Sequence, residues 1–130
     1  MEFDLLYQRY GEARRARHNA SRNKDQTAKS EANKIFKQIF EDLLTLAKKD
    51  NRHAQTLVGN ILKNGEGGVP SNEKQAAKWW TRAAKLGDFE GQYQLGLYYL
   101  YGDLMGKYID PKKALKWLNM ASDNEDKPKE

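Results

Sequence analysis

A chain of 130 residues with a formal net charge of +5 and 38% hydrophobic residues has room for one small domain with a single core. It contains no cysteine, which excludes a disulfide framework and a thiolate metal site, and we expect no bound metal or cofactor. No window is apolar enough for a membrane span, and the N-terminus lacks the features of a secretory signal. We therefore expect a cytoplasmic protein with no membrane partner.

Residues 1–52 are predicted to form an N-terminal arm and a capping helix. Apolar residues that begin at Phe3 recur at i, i+3, i+4 and i+7, which predicts an amphipathic helix over residues 3–17. The polar stretch 19–27 has no apolar period and is interpreted as a connection. Two adjoining apolar rows then predict a longer helix over residues 28–49, with a face wide enough for contacts on two sides.

Four more helices are predicted in the rest of the chain, each bounded by residues that favour helix ends. They extend from His53 to Asn64, from the N-cap Asn72 to Gly87, from the N-cap Asp88 to Gly102, and from Asp110-Pro111 to about Asp123. Residues 124–130 are interpreted as a charged tail that frays. The sequence thus predicts an all-α chain with about six helices and no strand.

Residues 53–123 contain a tandem repeat, with units at about 54–87 and 91–122. Four landmarks of the first unit recur in the second at an offset of 37 or 38 residues: Gly59 and Gly96, Gly65 and Gly102, Ala76 and Ala114, Trp79 and Trp117. A nearly constant offset of this size is typical of stacked helix pairs. Glycine inside a helix costs about 1 kcal/mol relative to alanine, so its recurrence at one register indicates close approach of a neighbouring helix.

This order of landmarks resembles the Sel-one-like repeat family, which is related to the tetratricopeptide repeats. In the first unit the matching residues are Ala54, Val58, Gly59, Gly65, Gly68, Val69, Ala76, Trp79, Trp80, Arg82, Ala83, Ala84 and Gly87. In the second they are Leu95, Gly96, Tyr99, Gly102, Ala114, Trp117, Leu118 and Ala121. The chain departs from the pattern at Leu62, at Gly91 and in the loop 103–109, which lacks the usual Gly-Val. The resemblance implies a short α–α solenoid of two repeats with N-terminal capping helices.

Two units bury too little surface for a continuous core, because stacked repeats generally need three or more. A shift of 37 residues aligns Leu43 with Trp80 and Ala47 with Ala84. The helix at 28–49 is therefore predicted to be the second half of an incomplete preceding repeat. Trp79 and Trp117 are expected to supply large buried areas where the paired helices diverge.

The search for catalytic or metal-binding residues finds no pattern of that kind. The two histidines, His18 and His53, belong to no ligand spacing and are interpreted as solvated surface residues. The loop at Gly65 lacks the Gly-Lys-Ser/Thr of a phosphate loop and follows a helix. No pair of carboxylates is placed for acid and base roles, so the protein is predicted not to be an enzyme.

The N-terminal arm carries a basic stretch, because residues 13–37 hold eight basic and two acidic residues. Its candidate contact residues are Arg14, Arg15, Arg17, Arg22 and Lys24. Such clusters give sequence-independent affinity for phosphates. The alternatives are a solvated helix face or a contact with an acidic protein.

The concave side of the solenoid is the third candidate site. By analogy with tetratricopeptide units, its lining is predicted to include Thr56, Asn60, Lys63, Asn64, Tyr93, Leu97 and Tyr101. The helix around 93–101 is apolar on most of its circumference and needs a cover. Two covers remain open, the N-terminal helix at 3–17 or a partner whose binding uses these aromatic residues as anchors.

The resemblance implies a role in binding, because members of the family serve as adaptors, as assembly factors and, in bacteria, as signalling or immunity-type partners. We predict a non-catalytic module that binds another protein on its concave face, either as an adaptor or as a neutralising partner. The alternative is a small basic protein that binds nucleic acid through the Arg14–Lys37 region. Fold alone does not choose between these functions.

Overall fold

The computed structural model describes residues 2–129, which form six α-helices and one turn of 3-10 helix. The α-helices are α1 (Glu2–Arg22), α2 (Gln26–Lys48), α3 (Arg52–Asn64), α4 (Glu73–Lys85), α5 (Phe89–Tyr101) and α6 (Pro111–Asp123), and the 3-10 turn covers Glu66–Gly68. The described residues contain no strand. The predicted all-α fold class is confirmed.

The predicted helix ends are formed by the residues that the sequence marks. Asn72, Asp88 and Asp110 each accept a hydrogen bond from the backbone N–H three residues further on, at 2.9–3.2 Å. Gly65 and Gly87 adopt the left-handed backbone, with φ of 65° and 86°, which glycine reaches without steric cost. Local chemistry therefore fixes where α4, α5 and α6 begin and where α3 and α4 end.

The N-terminal helix is longer than predicted. The sequence predicts a helix over 3–17 and a polar connection over 19–27, but α1 continues to Arg22 and the connection is three residues long. The extension contains Ala20, which is buried at 5% exposure. The sequence does not predict the extension, because a small apolar residue among polar ones gives only a weak periodic signal.

Consecutive helices form three hairpins, α1–α2, α3–α4 and α5–α6, and each hairpin packs on the next through α2–α3 and α4–α5. α1, α3 and α5 are the first helices of these pairs. Leu43 and Ala47 of α2 are buried like Trp80 and Ala84 of α4, as the 37-residue shift predicts. The preceding unit is nevertheless a complete helix pair, because α1 supplies its first helix.

The core consists of two neighbouring clusters. The first lies among α1, α2 and α3, where Tyr10, Phe36 and Ile61 are buried together. The second lies among α4, α5 and α6, around Trp80 and Trp117. Trp117 is buried, as predicted, whereas Trp79 is only partly buried, packed against the first cluster. Trp80 is the buried residue of the adjacent pair, at 2% exposure, while Trp79 is partly buried beneath the Arg82 guanidinium.

The two mid-helix glycines mark close helix approaches, as predicted. A Cβ atom on Gly59 would lie 2.5 Å from Nε1 of Trp80, and one on Gly96 would lie 2.6 Å from Cδ2 of Leu118. Neither distance leaves room for a methyl group. The glycines therefore form notches that admit a large side chain from the second helix of the same pair.

A buried glutamine joins each hairpin to the next at the same register. Nε2 of Gln55 donates to the carbonyl oxygen of Ala47 at 3.0 Å, and Nε2 of Gln92 donates to that of Ala84 at 3.3 Å. Both glutamines are fully buried or nearly so. Each glutamine is a second donor to a carbonyl at the C-terminal end of α2 or α4, which also accepts from the backbone N–H of Asp50 or Gly87 at 3.1 Å. The two side chains therefore join consecutive hairpins.

The C-terminal tail is held in place at its beginning, contrary to the prediction that residues 124–130 fray. Nδ2 of Asn124 donates to Oε1 of Gln92 at 2.9 Å. Nζ of Lys127 donates to the carbonyl oxygen of Ser122 at 2.8 Å. Asn124 thus provides a donor for the buried Gln92 side chain and for the Gly87 carbonyl.

Candidate functional site

A groove of about 290 Å³ lies on the side of the protein formed by the first helices of the three pairs. We call it the first recess. Its lining comprises Phe3, Tyr7, Tyr10 and Arg14 from α1, His53, Thr56, Leu57 and Asn60 from α3, and Asp88 and Glu90 from the N-terminus of α5. α3 forms the floor of the first recess, while α1 and α5 form its walls.

Asp88 fixes the wall formed by α5 to the floor. Its Oδ2 accepts hydrogen bonds from the Thr56 hydroxyl at 2.5 Å and from the backbone N–H of Gly91 at 2.9 Å. The carboxylate is buried, and a buried carboxylate needs such donors to offset its desolvation. Thr56 therefore lies at the predicted concave position, but it is only 3% exposed and its hydroxyl has an internal partner.

His53 takes part in the same contact. Its Nδ1 lies 2.9 Å from Oδ1 of Asp88, and its ring packs near that of Phe3, with 5.5 Å between centroids. His53 lies at the surface, as predicted, but its side chain also bridges α1 and the cap of α5. Half of its surface remains open to the recess.

Glu66 fixes the other wall, formed by α1. The Tyr10 hydroxyl donates to Oε2 of Glu66 at 2.9 Å, and Nε of Arg14 lies 3.1 Å from the same oxygen. Burial, with the negative charge and hydrogen bond of Glu66, raises the pKa of Tyr10 above its ordinary value. The hydroxyl therefore remains a donor at neutral pH and keeps α1 bound to the loop after α3.

Asn60 connects the recess to the core. Its Oδ1 accepts from Nε1 of Trp80 at 3.0 Å, and its Nδ2 donates to Oε1 of Glu90 at 3.3 Å. Satisfying the indole N–H lets Trp80 be buried without an unpaired donor. Glu90 has no cationic partner among residues 2–129, and its carboxylate faces the open side of the groove.

A smaller cavity of about 130 Å³ lies among α3, α4 and α5, and we call it the second recess. Its lining comprises Lys63, Glu73, Trp80, Gln94, Leu97, Tyr98, Tyr101 and Gly102. Burial, with Asp103 nearby, raises the pKa of Tyr98, so its hydroxyl stays protonated.

The predicted concave residues divide between these cavities. Thr56 and Asn60 line the first recess, and Lys63, Leu97 and Tyr101 line the second. Asn64 lies apart from both, beside Glu66, to which its Nδ2 donates at 3.4 Å. Tyr93 stacks on Phe89, with ring centroids 6.2 Å apart, and remains 43% exposed.

The N-terminal helix does not cover the aromatic face of α5. α1 packs on α2, and no packing interface joins α1 to α5. The inward part of the aromatic set, Tyr98 and Tyr99, packs on the second core cluster. Tyr101 is 70% exposed. Of the two covers that the sequence leaves open, α1 is therefore excluded, and Tyr93 and Tyr101 stay exposed among residues 2–129.

The predicted basic patch is partly used within the fold. Arg14 pairs with Glu66 as described, and Nε of Arg17 donates to Oδ1 of Asn33 at 2.7 Å. The remaining three candidates, Arg15, Arg22 and Lys24, are exposed, and no carboxylate of the described chain pairs with them.

Across residues 2–129, histidine and carboxylate side chains do not gather in groups of three or more that could hold a metal ion. None of the helices in the same part of the chain has the length and hydropathy needed to cross a membrane.

Three stacked hairpins with a groove along their first helices define the class of short helical-repeat scaffolds. The Sel1 repeat family model matches residues 52–88 and 89–126. The chain belongs to the Sel1 repeat family, as its resemblance indicates. Repeats of this family are in general non-catalytic protein–protein interaction modules. No curated protein and no solved structure matches the chain.

Proposed function

We propose that this protein is an adaptor or neutralising partner that binds a segment of another protein along its concave side. The observation that carries the proposal is the open aromatic surface beside the two recesses. Tyr7, Tyr93 and Tyr101 are all exposed there, and α1 packs on α2 and does not cover α5. Tyrosine side chains of this kind are common anchors of protein interfaces.

The construction of the groove supports binding rather than chemistry. Asp88 and Glu66 are occupied by hydrogen bonds that hold α5 and α1 against α3. A general base or acid must instead reach a proton of a substrate. Fixing the walls before a partner arrives lowers the conformational entropy that binding costs.

The polar residues around the recesses suit recognition of a partner's polar groups. Glu90 presents a carboxylate at the first recess, and Lys63 presents an ammonium group at the second. A partner segment with a cationic residue near Glu90 and an acidic residue near Lys63 would complement both. Charges at the edge of an interface contribute mainly to specificity and to the rate of association.

Affinity capture of the natural partner, followed by calorimetry on the purified pair, tests the proposal. Replacement of either aromatic residue, Tyr93→Ala or Tyr101→Ala, is expected to weaken binding by about 2 kcal/mol, roughly thirtyfold in Kd. Leu115→Ala on α6 serves as the control, because Leu115 is exposed and lines neither recess. A complex unaffected by both tyrosine variants would contradict the proposal.

Nucleic-acid binding remains the second candidate, favoured by the three exposed and unpaired cations Arg15, Arg22 and Lys24. Retention on immobilised DNA or RNA that falls steeply with salt would support it. The triple replacement of these residues by glutamate should then abolish retention. Retention that is absent in low salt would exclude it.

A further inference from the structure

A third recess, of about 350 Å³, lies between α1 and the loop that follows α3. Its lining comprises Arg14, Arg17, His18, Ser21, Phe36, Asn64, Glu66 and Gly67. The four residues that α1 contributes fall at i, i+3, i+4 and i+7, so they share one face of that helix. Each of the four carries a hydrogen-bond donor. One wall of the third recess is therefore a row of donors.

The two arginines of this row are each fixed through the Nε atom. Nε of Arg14 lies 3.1 Å from Oε2 of Glu66, and Nε of Arg17 donates to Oδ1 of Asn33 at 2.7 Å. Neither side chain forms a hydrogen bond through its terminal nitrogens within residues 2–129. These nitrogens carry four of the five N–H donors of a guanidinium group. Both groups are thus held in place with most of their donors free, which is the arrangement that binds an oxyanion.

The charge of the third recess stays positive when its carboxylate is counted. Glu66 cancels the charge of one of the two arginines, which leaves the lining at +1 with His18 neutral. The surroundings add to this charge, because residues 13–37 hold eight basic residues and only two acidic ones, Asp25 and Glu31. Glu66 raises the count of carboxylates to three. Among residues 2–129 no carboxylate pairs with three exposed cations of this region, Arg15, Arg22 and Lys24. The charge therefore selects an anion.

The third recess is continuous with the first recess, because Arg14 lines both. Tyr10 and Tyr7 extend the same face of α1 toward its N-terminus and line the first recess. The charge changes sign along this path, since the first recess also holds the carboxylates of Asp88 and Glu90. A long polyanion such as nucleic acid would be repelled there. A peptide segment with one strongly anionic group fits both ends of the path.

We propose that the third recess binds the phosphate group of a phosphorylated side chain in the partner protein. The inference rests on the proposed function and names a chemical feature of the partner segment. A phosphate monoester carries a charge of about −1.5 to −2 and three acceptor oxygens, which two guanidinium groups and the Ser21 hydroxyl can bind together. A carboxylate has two oxygens, and a single arginine satisfies both. The second arginine therefore favours phosphate over an acidic side chain.

Titration with a small phosphate monoester, followed by NMR at constant ionic strength, tests the recess on the intact chain. N-acetyl-phosphoserine amide is expected to give saturable shifts in the signals of α1 around Arg17, and N-acetyl-serine amide is expected to give none. Arg17→Gln should weaken binding about tenfold, and Ser21→Ala about threefold. Arg9→Gln is the matched control, because Arg9 is exposed on the same helix and lines neither recess. It should bind like wild type.

The complex with the natural partner gives a second test. Phosphatase treatment of the partner is expected to weaken its binding to the wild-type chain by about tenfold or more. The same treatment should have a smaller effect on binding to Arg17→Gln, because both changes remove the same contact.

Three outcomes would overturn the proposal. The first is the absence of saturable shifts with N-acetyl-phosphoserine amide and with N-acetyl-phosphotyrosine amide. The second is an equal loss of affinity in Arg9→Gln and Arg17→Gln, which would show only diffuse attraction of anions. The third is an oligonucleotide that shifts the same signals when neither phosphoamino acid does, which would assign the recess to nucleic acid.

The proposal and the proposed function fail separately. A partner complex that is weakened by Tyr93→Ala or Tyr101→Ala but resists phosphatase would overturn the phosphate inference and leave the proposed function intact. A complex that both tyrosine variants leave unaffected, together with saturable phosphoserine binding that Arg17→Gln weakens, would contradict the proposed function and support the phosphate site.

Discussion

Successive hairpins meet at two joints, α2–α3 and α4–α5. The two joints contain the same buried glutamine but differ in their other polar contacts. At both joints a glutamine side chain donates to an alanine carbonyl at the end of the preceding helix. The first joint is capped by Asn51, whose side chain bonds only to the backbone N–H of Ala54. The second is capped by Asp88, which also binds Thr56 and His53. A carboxylate in place of an amide thus converts a helix cap into the contact that shapes the groove.

The two joint glutamines, Gln55 and Gln92, also differ in whether the side-chain oxygen has a hydrogen-bond partner. Oε1 of Gln92 accepts from Nδ2 of Asn124 at 2.9 Å. Oε1 of Gln55 is buried without a hydrogen-bond partner in the described chain. The second joint is therefore the more fully satisfied one, and the free energy of unfolding should depend on it more strongly.

The largest expected difference concerns the glycine notches of the two repeats. Gly59→Ala should lower the free energy of unfolding by about 3 kcal/mol, because the added methyl group meets the buried Trp80 ring. Gly96→Ala should cost about 1–2 kcal/mol, because the Leu118 side chain can change rotamer. Urea unfolding of the two variants measures the difference, and equal losses would contradict this account of the notches.

Next in size is the loss of the joint glutamines. Gln92→Ala should cost about 2 kcal/mol, because it removes two buried hydrogen bonds of the Gln92 side chain, one to the Ala84 carbonyl and one from the Asn124 amide. Both of these groups keep a backbone partner in Gly87. Gln55→Ala should cost about 1 kcal/mol, since one bond is lost and an unpaired oxygen is removed with it. Thermal or urea unfolding that ranks Gln55→Ala as the more damaging change would refute the asymmetry.

A smaller difference in the free energy of unfolding is expected between substitutions of the two N-cap residues, Asp88 and Asn51. Asp88→Asn keeps an oxygen for capping but loses one of the acceptors that serve Thr56 and His53, so we expect a loss of about 1–2 kcal/mol. Asn51→Asp should change the free energy of unfolding by less than about 0.5 kcal/mol, since both residues cap well. Hydrogen exchange at the start of α5 should accelerate in Asp88→Asn, whereas a rate equal to that of wild type would show that Asp88 acts only as a cap.

The smallest expected effect is a pH dependence from Tyr10. Its folded pKa lies above that of unfolded tyrosine, so its stabilising contribution is fully present below the unfolded value of about 10. This contribution is lost as the pH rises toward the folded pKa. Tyr10→Phe should cost about 1 kcal/mol at neutral pH, and its unfolding free energy should decline less than that of wild type above pH 10. Parallel pH profiles would show that ionisation of Tyr10 contributes nothing to the pH dependence of the unfolding free energy.

Features with a local cause could be predicted from the sequence. Asn72, Asp88 and Asp110 mark helix starts because their side chains cap within the same turn. The offset between Gly59 and Gly96 reveals a close approach because the requirement recurs at one register. These signals give the helices, the repeat and the family.

The sequence could not predict which of two adjacent residues is buried, or which of two apolar surfaces a helix packs against. Whether Trp79 or Trp80 is buried depends on the rotation of α4 against α3, which adjacent aromatic residues leave undecided. Whether α1 packs on α2 or covers α5 is a choice between two apolar surfaces, and the buried Tyr10–Phe36 contact decides it. The recurrence of a cap residue at Asn51 and Asp88, 37 residues apart, was the signal that could have identified Asp88 as part of the groove.

Site-specific photo-crosslinking in living cells tests the central claim most directly. A photoreactive amino acid placed at Tyr93 or Tyr101 is expected to give the same discrete protein adduct, and one placed at Leu115 is expected to give none. Adducts at Leu115 but at neither tyrosine, or adducts with nucleic acid at all three positions, would contradict binding of a protein partner on the concave side.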